Sequence, residues 1–176
     1  TGRVAFAFPE TGKVIVDDNM IGRVYSANLT RGNGGIGAVF ADSDYVRAIR
    51  YGIKKDGHPL LFMPTDSYYY INDEDLANAI AYLKTIPAVD AVLPPTRVLP
   101  MARALFLTTN FPLIPAERIS RTAPRPPKIV AGPTREYGEY LTNAGACRSC
   151  HLQDLSGGVP IAKDLLSANI TPAAIG

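Results

Sequence analysis

The sequence lacks a long uninterrupted hydrophobic run. No segment reaches the roughly 18 consecutive apolar residues that identify a membrane-spanning helix. The longest apolar stretch, residues 98–114, is broken by Pro100, Arg103 and Pro112, so we expect it to pack on a domain or a partner. The first four residues also lack the basic and then apolar pattern of a secretory signal.

Charge is sparse and nearly balanced. Charged residues make up 19% of the chain, and the formal net charge is +2 at pH 7. A protein that binds nucleic acid usually shows a concentrated basic patch, so nucleic acid is not an expected partner. Hydrophobic residues make up 47% of the 176 residues, which is enough for a packed core in one domain or two small ones.

Cysteine and histidine are scarce, with two of each in the chain. Three of these four lie together in the run Cys147-Arg148-Ser149-Cys150-His151, which is the C-x-x-C-H pattern of c-type haem attachment. Structural zinc usually needs four ligands, and only His58 remains outside the run. A thioredoxin-like redox pair would need a βαβ setting that the sequence does not indicate. A simple disulfide is the remaining alternative.

The spacing of the motif suits haem attachment. Two thiols about one helical turn apart can add across the two vinyl groups of a haem, and the next residue is then held under the iron as its proximal ligand. We therefore predict that Cys147 and Cys150 bind the cofactor haem c and that His151 ligates its iron.

Proline divides the chain into three regions. Ten of the fifteen prolines fall within residues 87–135. Proline removes a backbone donor and fixes φ, so this part is expected to be an irregular, semi-rigid connector. We predict domains at 1–90 and 136–176, joined by a Pro-rich connector at 91–135.

Caps and apolar residues at helical spacing predict three helices. Their expected ranges are 43–51, 73–85 and 136–146, with Asn72 as the cap of the second. Gly52 is expected to end the first helix in the left-handed conformation. No segment alternates clearly enough to predict a strand, so the chain is predicted to be mostly α.

A short string of residues occurs twice. Ser-Ala-Asn-Leu-Thr at 26–30 recurs as Ser-Ala-Asn-Ile-Thr at 167–171, and Ile-Gly follows each copy. Coincidence between two five-residue strings is the alternative, but the order and the flanking residues agree. The repeat therefore favours two related domains within the chain.

The repeat also suggests where each domain begins. His151 precedes Pro160 by nine residues, and the same spacing from Pro9 would place a matching histidine immediately before Thr1. We therefore expect residues before Thr1 and after Gly176 to be missing, so that each domain is represented only in part.

A second axial ligand is expected for haem iron in an electron-transfer site, and methionine raises the potential. No methionine or further histidine follows His151. Met63, in the run Pro59-Leu60-Leu61-Phe62-Met63-Pro64, is the candidate ligand, with core packing as the alternative.

Three further residues are candidates for supporting roles. The carbonyl of Pro160 could accept a hydrogen bond from the free ring nitrogen of His151 and fix its tautomer, with a simple turn as the alternative. Asn28 and Asn169 could each orient a haem propionate or satisfy a turn.

These motifs resemble the tandem class I cytochrome c domains of bacterial dihaem and multihaem cytochromes. Similar domains form the cytochrome subunits of periplasmic alcohol and sugar dehydrogenases. Besides the attachment motif, the similar segments are 26–30, 45–52, 56–64 and 73–83. The resemblance implies small α-helical domains around haem, two haem c groups in the complete protein, and His and Met as axial ligands. By position it assigns Cys147, Cys150 and His151 to one haem and Met63 to a different one. A permuted single domain, in which Met63 ligates the iron held by His151, is the alternative.

Electron transfer is the function that this resemblance implies. The expected partners are a dehydrogenase as donor and a cytochrome or oxidase as respiratory acceptor, at the periplasm or the outer face of the cytoplasmic membrane. No membrane anchor is visible in the sequence. The alternative is a haem enzyme acting on peroxide or thiosulfate, or a haem-based sensor, which would need an exchangeable axial position at the second haem.

Overall fold

The fold is known from a computed structural model that describes residues 3–4, 13–108, 114–120, 122, 124–125, 127–162 and 164–175. Helix exceeds strand, at about 38% against 12%, which fits the predicted mostly α fold. Within the described residues the α-helices are α1 (Asp42–Tyr51), α2 (Thr65–Tyr68), α3 (Asp73–Thr85), α4 (Pro100–Thr108), α5 (Arg135–Ala144), α6 (Cys147–His151) and α7 (Pro172–Ile175). A 3-10 helix spans Pro115–Arg118. The strands are β1 (Arg3–Val4), β2 (Val14–Asp18), β3 (Gly22–Tyr25), β4 (Arg97–Val98), β5 (Pro160–Ala162) and β6 (Leu165–Leu166).

The contacts between residues divide the chain into two compact units. The first comprises Thr1–Val46 with Ala77–Leu113, and the second comprises Arg47–Leu76 with Ile114–Gly176. The attachment motif and Met63 fall in the second unit, whereas the first copy of the repeat falls in the first. The domain boundaries at 90 and 135 stay a prediction.

Strands were not expected from the sequence, and the first unit contains an antiparallel sheet in the order β1-β2-β3-β4. Its buried side chains include Ile15, Val16, Val24 and Val98. Ile15 and Val16 are neighbours and are both buried, because a register shift between Val14 and Val16 interrupts the pairing of β2 with β3. Such a bulge breaks the alternation of buried and exposed residues from which a strand is recognised in a sequence.

Helix α3 begins and ends where the sequence predicts. The Asn72 side chain accepts a hydrogen bond from the Asp75 backbone N–H at 2.9 Å, which confirms it as the cap. Leu76 and Ile80 form the buried stripe of this helix. The first turn carries three acidic residues, Asp73, Glu74 and Asp75, at the positive end of the helix dipole.

Helix α1 ends at Gly52, which has a φ of +63° and so confirms the left-handed ending. Near this end, Arg50 has a side chain only 2% exposed. Its guanidinium donates to Asp73 Oδ1 at 2.6 Å and to the Ile71 carbonyl at 2.7 Å. The first turn of α3 is therefore tied to α1 by a buried cation that the sequence did not single out.

The Pro-rich segment is more ordered than predicted. It contains β4, α4 and the 3-10 helix rather than irregular chain alone. Pro100 is the first residue of α4, where its missing N–H leaves no helical hydrogen bond unmade. Proline therefore starts a helix here. In the described part of the chain, no helix has the length and apolar character needed to cross a membrane.

Replacing Asp73 by asparagine should reduce stability at neutral pH and not in acid. The hydrogen bond from Arg50, and then the charges of Arg50 and Arg125, hold the pKa of Asp73 below its ordinary value. A carboxyl group with a lowered pKa in the folded state stabilises the fold above its unfolded pKa and loses that contribution as the pH falls through the folded pKa. We expect a loss of about 1 kcal/mol at pH 7, because Asp73 is largely exposed and solvent screens its charge.

The measurement is urea denaturation of both proteins at pH 7 and at about pH 2, because the contribution of Asp73 is lost only once the pH falls through its lowered pKa in the folded protein. The control is Asp164→Asn, since Asp164 is exposed and makes no ion pair with another described residue. An equal loss of stability for D73N at both pH values would contradict the proposed role of the charge.

Candidate functional site

The attachment motif forms a one-turn helix of its own, α6. Both cysteines are free thiols, with Cys147 half-buried and Cys150 exposed. Residues three apart on a helix are neighbours on its surface, so the two thiols are presented on one side of α6. The thiols therefore stand next to each other without being joined to one another.

Strained backbone brackets this short helix. Ala146, before it, has φ 57° and ψ 23°, and Leu152, after it, has φ 66° and ψ 170°. Residues other than glycine rarely adopt these backbone conformations. Each costs roughly 1–3 kcal/mol, and such residues are concentrated at functional sites. The helix predicted at 136–146 is α5, which ends at Ala144, and the left-handed Ala146 separates it from α6, a second helix that the sequence did not predict.

His151 is held by one hydrogen bond of its ring. Nδ1 donates to the carbonyl oxygen of Ala168 at 2.7 Å. A carbonyl can only accept, so Nδ1 carries a proton, and in the neutral imidazole the lone pair is then on Nε2. A hydrogen bond of this kind fixes both the tautomer and the ring orientation of a metal-ligating histidine.

Gly157 allows the Ala168 carbonyl to come close to His151. It has φ +73°, and a Cβ atom at this position would lie 2.3 Å from the Ala168 oxygen. Its backbone N–H also donates to the His151 carbonyl at 3.0 Å. The sequence analysis missed this residue, although the pair Gly157-Gly158 was a signal for an unusual backbone.

Pro160 was predicted to accept the hydrogen bond from the His151 ring, and this was wrong because Ala168 accepts from Nδ1. Pro160 is instead the first residue of β5, where it pairs with Leu166 in the hairpin of β5 and β6. The first position of a strand tolerates proline, which has no N–H to donate.

The two copies of the repeat have the same local structure. In the first, the Ser26 backbone N–H donates to the Lys13 carbonyl at 2.8 Å, and the Lys13 N–H donates to Ser26 Oγ at 2.9 Å. In the second, Ser167 and Val159 make the same two bonds, also at 2.8 and 2.9 Å. Each serine thus closes a β-hairpin, formed by β2 with β3 and by β5 with β6.

This equivalence changes the alignment of the repeat. Lys13 matches Val159, so Val14 matches Pro160, whereas the sequence pattern paired Pro160 with Pro9. Pro9 itself lies outside the described residues. The two residues of the hairpin-closing pair are 13 positions apart in the first copy and 8 positions apart in the second.

Asn28 and Asn169 form the same turn. Asn28 Oδ1 accepts from the backbone N–H and the hydroxyl of Thr30 at 3.0 and 2.8 Å. Asn169 Oδ1 accepts from the same two groups of Thr171 at 2.9 and 2.7 Å. Both asparagines therefore have the turn geometry, and contact with a haem propionate stays a prediction.

The two turns differ in burial. Asn28 is only 1% exposed, and its amide nitrogen donates to the Val89 carbonyl at 2.8 Å. Asn169 is exposed, and its amide nitrogen donates to no other described residue. The first turn is therefore part of the packed interior of its unit.

Met63 is half-buried between two constrained residues. Phe62 has a φ of +57°, and Pro64 caps the short helix α2. Within α2, which begins two residues after Met63, burial raises the pKa of Tyr68. The structure thus gives Met63 a fixed backbone, and ligation of iron by its sulfur stays a prediction.

Replacing Asn28 by alanine should cost about 2–3 kcal/mol of the free energy of unfolding. The Thr30 N–H would lose its acceptor inside the protein, and an unsatisfied buried donor is expensive. Asn169→Ala removes the same turn at an exposed position, so we expect a loss within about 0.5 kcal/mol. Urea denaturation of both variants measures the two values, and equal losses would contradict the assignment of Asn28 to the interior.

Comparison with known proteins finds sequence similarity to two cytochrome subunits. No protein-family model matches it. It is 28% identical over 144 residues to the cytochrome c subunit of the quinone alcohol dehydrogenase of Gluconobacter oxydans (strain 621H), an alignment that covers 74% of this chain and 27% of that protein. It is 37% identical over 81 residues to the fructose dehydrogenase cytochrome subunit of Gluconobacter japonicus, which covers 44% of this chain and 16% of that protein. The chain thus spans under a third of the length of either relative, and what it resembles is the cytochrome c subunit of a dehydrogenase.

Proposed function

We propose that the chain is a c-type electron-transfer protein that holds haem at Cys147, Cys150 and His151. The observation that carries the proposal is the hydrogen bond of His151 Nδ1 to the Ala168 carbonyl, which leaves Nε2 as a lone-pair donor beside two free thiols. Two thiols and one imidazole are the donor set that covalent haem attachment needs. When bound, the haem iron supplies one-electron chemistry by cycling between the ferrous and ferric states.

The residues of the site fit this group chemically. Each thiol adds across one vinyl group, so that sulfur bonds to carbon and the thiol proton goes to the neighbouring carbon. Both thiols must be free and reachable, and Cys150 is exposed while Cys147 is half-buried. The backbone strain on both sides of α6 supports a functional role, because such conformations need an overdetermined surrounding structure to persist.

The alternatives for the two cysteines have less support. A disulfide does not join them, since both are free. In the described ranges, no group of three or more His, Cys, Asp or Glu side chains is arranged to hold a metal ion. A structural zinc site normally uses four such ligands. Haem attachment uses all three residues of the motif.

We also propose that the complete protein carries two haem groups in tandem domains. The support is the repeat, because both copies make the same hairpin closure and the same asparagine turn. A permuted single domain would need only one such structure. In the tandem arrangement Met63 would be the distal ligand of a haem other than the one at His151. In the permuted arrangement it would ligate the iron at His151.

The partners follow from the relatives as a proposal. Both relatives are cytochrome subunits of dehydrogenases. We propose that this chain accepts electrons from a dehydrogenase and passes them to a respiratory cytochrome or oxidase, at the periplasmic side of the cytoplasmic membrane. The formal net charge of +2 favours docking through modest complementary patches rather than strong electrostatic steering.

Haem attachment should be visible in a pyridine haemochrome spectrum of the denatured chain after extraction of free haem. We expect one covalent haem on this chain, and a spectrum shifted towards a single thioether in Cys147→Ser and in Cys150→Ser, because each variant loses one carbon–sulfur bond. Two haem groups on the protein made from its complete gene would support the tandem proposal. A denatured chain without covalent haem would overturn the proposed function.

The role of Met63 separates the tandem from the permuted arrangement. In the haem-loaded chain we expect Met63→Ala to leave the carbon monoxide difference spectrum of the reduced haem at His151 unchanged, since Met63 belongs to the other haem. Met20→Ala, at an exposed methionine, is the matched control. A carbon monoxide adduct that appears in M63A and not in M20A would instead support the permuted domain.

A further inference from the structure

Tyr140 is buried where its hydroxyl meets the start of α3. The side chain is 7% exposed. The hydroxyl donates to Asp75 Oδ2 at 2.5 Å and accepts from the Asn72 side-chain amide at 3.2 Å. The hydroxyl therefore uses both its donor and its acceptor capacity on two residues that are 65 and 68 positions away in the chain.

The Asp75 carboxylate that accepts from Tyr140 is also held by Asn72. The Asn72 side chain donates to Asp75 Oδ2 at 2.9 Å, while its oxygen caps α3 by accepting from the Asp75 N–H. Burial and the bond to Asp75 raise the pKa of Tyr140 to about 12. The hydroxyl is consequently a proton donor throughout the physiological pH range. Hydrogen bonds to a charged acceptor are stronger than those between neutral groups.

The position of Tyr140 is transmitted to the attachment motif. Tyr140 lies on α5, seven residues before Cys147 in the sequence. Between them, the Gly145 N–H donates to the Leu141 carbonyl at 2.8 Å. A further bond joins the two helices directly, since Arg148 Nε donates to Asn143 Oδ1 at 2.9 Å. The first bond extends α5 by one residue, and the second joins α5 to α6 across the break at Ala146.

We propose that Tyr140 is a positioning residue whose hydrogen bond to Asp75 holds α5, and with it the attachment motif, against the start of α3. The inference deepens the proposed function, because it concerns the position of the haem held at Cys147, Cys150 and His151. Tyr140 touches none of these three residues and acts through the joined helices.

The same helix offers a matched control. Tyr137 is stacked on Tyr140 with 6.2 Å between the ring centroids. Its hydroxyl donates to no other described residue. Tyr137→Phe therefore removes a hydroxyl of the same kind from the same helix without breaking a bond to α3.

The first measurement is hydrogen exchange of the haem-loaded chain. In Tyr140→Phe we expect the amides of residues 137–151 to exchange about tenfold to a hundredfold faster, the range that the loss of a hydrogen bond to a charged group implies. In Y137F we expect exchange within about twofold of the wild-type rate. Equal acceleration throughout the chain would identify Tyr140 as a general stabilising residue and would overturn the proposal.

The second measurement is the midpoint potential of the haem, which a merely structural residue would leave unchanged. Y140F replaces one neutral side chain by another, so a shifted potential reports a displaced attachment motif rather than a changed charge. We expect a shift in Y140F and none in Y137F. Asp75→Asn, which keeps an acceptor oxygen for Tyr140, should retain most of the exchange protection. Potentials and exchange rates of Y140F that match those of Y137F would contradict the proposal.

The two proposals fail in different ways. If the denatured wild-type chain carries no covalent haem, the proposed function is wrong, and the exchange comparison on the haem-free chain still decides the role of Tyr140. If haem is attached and Y140F behaves like Y137F, only the positioning role is wrong. Should Y140F not fold, Asp75→Ala, which removes the acceptor of the Tyr140 hydroxyl, provides the exchange comparison. Wild-type protection of residues 137–151 in D75A would overturn the positioning role.

Discussion

Three consecutive carboxylates at the first turn of α3 hold the second unit together. Together they bind side chains from three other parts of the chain, and all three lie at the positive end of the helix dipole. In the order Asp73, Glu74, Asp75, the partners are Arg50 with Arg125, then Lys128, then Tyr140. Because these partners come from α1, from the Pro-rich segment and from α5, a single helix start organises segments that are far apart in sequence. Through α5, this arrangement also positions the attachment motif.

The sequence could predict what depends on neighbouring residues. Helix α3 was placed at 73–85, and Asn72 was identified as its cap, since apolar spacing and capping are local. The strands were missed, because the bulge in β2 buries Ile15 and Val16 together. The partner of His151 was also missed, because Ala168 carries no side-chain signal and acts through its backbone carbonyl.

The same limit explains the Pro-rich segment. Proline density predicted irregular chain, yet the physical effect of proline depends on its position within an element. At Pro100 it occupies the first position of α4, where no hydrogen bond is lost. Composition gives only the number of prolines. Their structural effect depends on whether the backbone N–H at each position would otherwise donate a hydrogen bond. The role of the attachment motif stays a prediction from a sequence pattern, and that pattern does not indicate the left-handed backbone of Ala146 that separates α6 from α5.

The carbonyl that orients His151 also explains why the repeat bears on haem number. Ala168 is the second residue of the Ser-Ala-Asn string, and its equivalent in the first copy is Ala27. The serine closure on one side and the asparagine turn on the other are the same in both copies, so they fix the two carbonyls in equivalent local frames. In the second copy the Ala168 carbonyl accepts a hydrogen bond from the His151 ring. In the first copy no described residue donates to the Ala27 carbonyl. A permuted single domain has no use for a second acceptor of this kind, whereas tandem domains would use one in each, so the repeated carbonyl supports the proposed two-haem arrangement over the permuted one.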